Sequence, residues 1–215
     1  MFTAGHSSGG YLALQSALLV TPRPRGILLV AAQGGNFLHP LYFVRKEMAA
    51  KLKTENIDAY LDVAHPDRGK ILAVTGAPIE SSLSGLRVAV DVAMHQLGLK
   101  LDAMTGRQGL SAKLREAEDV LEMAIEEDLR WLFPELMIPQ ADGFPRVWAV
   151  HGTRDRTVPC REAERIIEMV EGVGGIGRLV KVMGWGHGEA EEAWEMGGKG
   201  CSEFFELALV EEDGV

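Results

Sequence analysis

Cysteine is nearly absent from this chain: Cys160 and Cys201 are the only two in 215 residues. Two thiols cannot build a disulfide framework, so the chain must fold on an apolar core and is read as carrying two unpaired thiols in a reducing, cytoplasmic setting. Basic residues are also in short supply, with 22 Lys and Arg against 31 Asp and Glu and a net charge of −9. That balance excludes nucleic acid and an anionic membrane surface as natural partners, because phosphate binding draws on surplus cations. No apolar run reaches the 18 or so residues that a membrane helix requires, and no secretory signal is visible. Histidines are few and scattered. His39, His65 and His95 have no Cys or His at ligand spacing, so no metal site is expected.

What the chain does have is an ordinary globular composition, 47% hydrophobic and 25% charged, and length enough to bury a substantial core. Its most informative segment is Gly5-His6-Ser7-Ser8-Gly9, set between an apolar start (Met1 to Ala4) and an apolar helical run (Tyr11 to Val20). A G-x-S-x-G segment at a strand-to-helix turn is a nucleophile elbow: small flanking residues let the backbone close up and project the serine hydroxyl above the sheet. Ser7 is the expected nucleophile. Ser8 opens the helix, where its backbone N–H can face an oxyanion.

A serine needs a base to take its proton and a third group to hold that base in the useful tautomer. Two later turns supply these. An apolar strand, Val147 to Val150, runs into His151-Gly152-Thr153-Arg154-Asp155-Arg156-Thr157-Val158-Pro159, and a further helix and strand lead to Gly184-Trp185-Gly186-His187-Gly188. Asp155 is the expected orienting acid and His187 the expected base. His6 and His151 adjoin the motifs but sit beside strand ends, where packed histidines are common, and neither is assigned a proton-transfer role. Trp185 is a candidate to line a substrate pocket, with packing beneath the loop as the alternative.

The order Ser, Asp, His, each at the end of a predicted strand, resembles the α/β-hydrolase superfamily. Within it the chain looks most like the esterase and lipase branch related to hormone-sensitive lipase; the trailing Gly9-Gly10 is shared with prolyl-oligopeptidase-like peptidases. The resemblance implies a serine hydrolase acting on a small carboxylic ester through an acyl-enzyme, with no cofactor. A peptidase of the second kind, or a non-catalytic module retaining triad residues, are the alternatives. It covers the fold from the elbow onward. The family's earlier strands and its Gly-rich oxyanion loop would precede Met1, so the expected architecture is α/β, a parallel-sheet α/β-hydrolase fold lacking its N-terminal strands. Such a chain should self-associate through the raw edge of its first strand, and its activity in isolation should be weak.

The rest of the chain fits this frame. Gly26 to Ala32 is a continuous apolar run of the kind found in a covered parallel strand. Residues 36–144 are too long for a loop and carry helical patterns at Leu41 to Leu52, Leu83 to Leu97 and Leu114 to Leu132, which predict a helical cap inserted into a core made of 1–35 and 145–215. The third pattern has an acidic face (Glu116, Glu118, Asp119, Glu122, Glu126, Glu127, Asp128) read as solvated surface. From Arg146 the rhythm is strand, helix (Arg161 to Val170), strand (Arg178 to Met183) and a terminal helical region to Val210, which implies parallel strands. Gly172 to Gly177 spells G-x-G-x-x-G, but it follows a helix and precedes a strand. Dinucleotide binding needs the reverse order, so this segment is a connection.

Overall fold

The computed structural model describes residues 1–47, 82–117, 120–189, 195 and 200–210. Four strands form one parallel sheet in the order β1 (Phe2–His6), β2 (Gly26–Val30), β3 (Arg146–Gly152) and β4 (Gly177–Val182). Their registers are regular, with Ala4 opposite Leu28, Leu28 opposite Trp148, and Trp148 opposite Arg178. The two central strands are mostly apolar, Gly26 to Val30 in β2 and Val147 to Val150 in β3, as befits strands covered on both faces. Alternation sorts the side chains between the faces. Ile27, Leu29, Val147 and Ala149 join Leu14 and Ala17 of α1 (Ser8–Leu19) in one core cluster. Trp148 and Val150 join Val182, Cys201 and the partly buried Leu28 on the other side.

The helix between β1 and β2 is apolar on most sides, yet only one stripe of it is covered. Leu14 and Ala17 are buried, while Leu12 is 66% and Leu19 54% exposed. Phe2 and Val20 are likewise exposed, and among the described residues β1 pairs on one side only, with β2.

By compactness the chain divides into two units, one of Met1–Asn36 with Arg130–Val215 and one of Phe37–Leu129. All four strands lie in the first unit. The second is helical in its described part. It holds α2 (Ser82–Leu97), α3 (Lys100–Thr105) and α4 (Leu110–Glu116), around a core that includes Phe37, Tyr42, Val90, Leu101 and Leu114. Asp102 is buried and accepts the backbone N–H groups of Gly109 and Ser111, satisfying donors at the start of α4. None of the described helices is long and apolar enough to cross a membrane.

Two expected helices differ in the structure. The run Leu41 to Leu52 opens not as a helix but as turns at 41–44 held by His39 and Pro40 carbonyls; residues 48–52 lie outside the described residues. The pattern Leu114 to Leu132 is not one helix but the end of α4, a 3-10 turn at Leu121–Ala124 and another at Glu127–Leu132. Leu114, Ala124, Ile125 and Leu129 are buried all the same. A single helix would have stacked like charges three and four residues apart, whereas the broken path lets Glu126 and Asp128 both meet Arg107.

The first unit also holds α5 (Pro134–Met137), α6 (Arg161–Gly172), between β3 and β4, and α7 (Cys201–Val210). The Gly172 to Gly177 segment joins α6 to β4, with Gly174 at a φ of 75°, the left-handed conformation that a helix C-terminus favours. β2 stops at Val30, two residues short of its apolar run, because Ala31 turns away at a φ of 46°.

That turn is secured from a distance. The buried Glu162 carboxylate, on the first turn of α6, accepts the backbone N–H groups of Gly34, Gly35 and Asn36 at 3.3, 2.8 and 3.0 Å. Gly35 has to be a glycine here, since a Cβ on it would lie 2.1 Å from the Glu162 carbonyl oxygen. Glu162→Ala would leave several of these donors unpaired at roughly 1–3 kcal/mol each. The substitution is expected to cost about 3 kcal/mol of stability, read as a lower midpoint in urea unfolding at unchanged slope; a midpoint equal to wild type would show that the clamp is dispensable.

Candidate active site

Ser7 occupies the turn between β1 and α1 at φ 53° and ψ −122°, a conformation that a non-glycine residue adopts only when its surroundings force it. The forcing is visible. The Ser7 N–H donates to the Val30 carbonyl at 3.0 Å, and the Ser7 carbonyl accepts the N–H groups of Gly10 and Gln33, both at 3.0 Å. Gly5 allows the strand end and helix start to fold together: a Cβ there would lie 2.1 Å from the Gly9 carbonyl oxygen. The backbone is thus pinned on both sides, and the side chain is left to project. Ser8 begins α1, so its N–H has no intrahelical acceptor and points from the positive end of the helix.

Asp155 follows β3 in a tight turn. Its Oδ1 accepts the N–H groups of Thr157 and Val158 at 2.9 and 2.8 Å, and its side chain is wholly buried. His187 follows β4 on a loop tied to the Asp155 loop. Arg154 N–H donates to the Trp185 carbonyl at 2.8 Å, and Gly184 N–H donates to Thr153 Oγ1 at 2.9 Å.

These three turns, far apart in sequence, meet at one end of the sheet. His187 Nδ1 lies 2.8 Å from Asp155 Oδ2, and His187 Nε2 lies 3.0 Å from Ser7 Oγ. A carboxylate can only accept, so the ring proton sits on Nδ1 and the lone pair of Nε2 faces the serine hydroxyl, which donates to it. Burial by itself would raise the Asp155 carboxyl, but hydrogen bonds from His151, His187 and the Val158 N–H outweigh it and hold the pKa below the ordinary aspartate range. The acid therefore stays ionised at neutral pH. The arrangement can take a proton from Ser7, hold it on an imidazolium beside a fixed negative charge, and return it to a leaving group.

The neighbouring histidines have separate places. His6 lies with its ring tilted against that of His187, centroids 5.2 Å apart, and burial, followed by the charge of His187, pushes its pKa below the ordinary histidine value. His151 is fully buried and bonded to the turn that carries Asp155. Trp185 is half-buried on the loop before His187. Its ring packs on the Trp148, Val150, Val182 and Cys201 cluster, and its backbone carbonyl is what ties the two loops. Sequence reasoning missed Gln33, whose N–H anchors the elbow, and Glu162, whose clamp holds the segment just after it; neither carries a local signal, since each partner is remote in sequence. Among the described residues no group of His, Cys, Asp and Glu side chains could hold a metal ion.

No family model matches the chain, and no curated protein does. Solved structures do resemble it. A protein described as of unknown function from Staphylococcus aureus subsp. aureus Mu50 superposes with a TM-score of 0.58 at 15% identity, over 96% of this chain and 64% of that one. An acetyl ester-xyloside bifunctional hydrolase from Caldicellulosiruptor lactoaceticus gives 0.49 at 13% identity, over 95% and 55%. The thermophilic esterase Est2 of Thermogutta terrifontis gives 0.43 at 17% identity, over 94% and 53%. The chain thus spans between about half and two thirds of the length of these structures. Identities this low speak to the fold alone, and of the three only the first is similar enough to bear on it. With β1 to β4 parallel and in chain order, the Ser7 turn after β1, and the Asp155 and His187 turns after β3 and β4, the architecture is that of an α/β-hydrolase sheet from the Ser7 turn onward.

Proposed function

We propose that this chain carries the catalytic centre of a serine hydrolase that cleaves small carboxylic esters through an acyl-enzyme. One observation supports the reading above all others: the unbroken chain from Ser7 Oγ to His187 at 3.0 Å and from His187 to Asp155 at 2.8 Å, with Ser7 held in an enforced backbone conformation. In this mechanism Ser7 Oγ attacks the ester carbonyl carbon as its proton passes to His187 Nε2. The Ser8 N–H meets the oxyanion of the tetrahedral intermediate. His187 then gives the proton to the departing alkoxide, leaving the acyl group on Ser7 Oγ. A water molecule then attacks the acyl carbon as its proton passes to His187, and collapse breaks the bond to Ser7 Oγ, which takes that proton back as the acid leaves. Asp155 stays ionised throughout and keeps the imidazole in register.

The substrate proposed is neutral, because the net charge of −9 disfavours phosphate-bearing partners. The helical unit Phe37–Leu129 is proposed to act as a cap that selects among acyl or aryl groups. Chemistry at Ser7 would be the same for an amide, so a peptidase shares the mechanism. A non-catalytic module does not, and a fluorophosphonate probe separates the two. The probe is expected to add to Ser7, with the adduct located by peptide mass spectrometry; Ser7→Ala should lose the label with its fold intact. Ser8→Ala should keep it, since the proposed role of Ser8 is played by its backbone. Label persisting in Ser7→Ala would sink the assignment.

A further inference from the structure

His151 lies outside the Ser7, His187 and Asp155 series, yet it is one of the most completely buried polar side chains described, at 1% exposure. Its Nε2 is 2.8 Å from the Val158 carbonyl oxygen. A carbonyl only accepts, so Nε2 carries the ring proton. Nδ1 is buried and has no partner among the described residues, which suits a bare lone pair better than a second N–H, because an unpaired buried donor is costly. The same Nε2–H also faces Asp155 Oδ2 at 3.4 Å.

Val158 is the far end of the turn that Asp155 begins. Its N–H is held by Asp155 Oδ1 at 2.8 Å, and its carbonyl by His151. The ring therefore closes the turn from within, while its proton also looks toward the one carboxylate oxygen that receives His187 Nδ1–H at 2.8 Å. Rotation of the Asp155 carboxyl would break bonds on both of its oxygens at once. β3 fixes the donor itself: His151 is paired in register with Lys181 of β4, so the ring is mounted on the sheet and not on the loop.

We infer that His151 is a positioning residue of the proposed triad, its Nε2–H bracing Val158 and Asp155 Oδ2 so that the carboxylate is presented to His187 in one orientation. This rests on the proposed function for its catalytic meaning, but its geometry can be tested without turnover. The His187 Nδ1 proton, shared with a buried carboxylate, should give a far-downfield proton NMR signal in the 215-residue chain, assigned by its loss in His187→Gln. Glutamine places an amide donor near the position of Nε2, whereas asparagine is too short and places it near Nδ1. His151→Gln is expected to keep the signal at its wild-type position, and His151→Asn to lose or displace it, with both variants matching wild type in far-UV circular dichroism. A purely structural histidine would let the two amides behave alike. Indistinguishable spectra for His151→Gln and His151→Asn, or a wild-type chain with no downfield signal, would overturn the inference. The proton is present whether or not Ser7 reacts, so a failed fluorophosphonate reaction beside a Gln-specific signal would count against the hydrolase reading and leave the positioning role standing.

Discussion

Asp155→Asn is expected to lower turnover of a small activated ester by about 10⁴-fold with little change in KM. The carboxylate lies 2.8 Å from His187 Nδ1 and accepts its proton, which leaves the Nε2 lone pair toward Ser7. An amide at the same position can offer N–H instead, and the imidazole then carries its proton on Nε2, where it cannot take another from serine. His187→Ala removes the proposed base and is expected to be at least as damaging. The double variant should be no worse than His187→Ala alone, because members of one relay act as a unit. Steady-state hydrolysis by the three variants decides this, and multiplied losses in the double would show that the two residues do not share a mechanism. Asp155→Asn should also alter acid stability. The folded carboxyl is depressed, so its stabilisation is present above an unfolded value of about 4 and is lost as pH falls through the lower folded value. The variant lacks that contribution, and its unfolding midpoint should respond less to acidification below about pH 4.

Replacing Phe37–Leu129 by a short linker is expected to yield a folded protein that has lost its substrate discrimination. All four strands and all three proposed catalytic residues belong to the other unit. The chain is anchored within that unit on both sides of the excised segment: Glu162 holds the N–H groups of 34–36, and the Gln15 side-chain amide donates to the Trp131 carbonyl at 3.0 Å. Reactivity toward a small activated ester should stay within about tenfold of wild type, or 1.4 kcal/mol in barrier, while preference among esters with large acyl or aryl groups collapses. Loss of the far-UV circular dichroism of the sheet on this replacement would place the helical unit in the folding core and end its assignment as a cap.

The elements that sequence alone made legible are those whose causes are local. Gly5 to Gly9 reads as an elbow because a close turn needs small residues, and Gly5 does approach the Gly9 carbonyl. Gly26 to Ala32 reads as a covered strand and Val147 to Val150 as an apolar one because their residues are apolar on both faces, and the two central strands lie there. The order Ser7, Asp155, His187 identified the three turns that meet. Periodicity failed where a local pattern had two ways to bury the same residues: Leu114, Ala124, Ile125 and Leu129 reach the interior along a broken path that also pairs acidic groups with Arg107.

By itself, then, the sequence determined the parallel α/β order, the strained elbow and the identity of the three side chains proposed for catalysis, since each follows from residue size, alternation and chain order. Only the tertiary structure decided which neighbours support them. His151 and His6 look equivalent as sequence, each a histidine beside a motif. One became a buried brace on Val158 and Asp155, and the other a ring tilted against that of His187. Trp185 packs part of its side chain against the Trp148 cluster, a contact that its own loop does not announce. Glu162 meets residues 34–36 across more than a hundred positions of chain. Such contacts are set by where the sheet brings the turns together, and no spacing within a single segment encodes them.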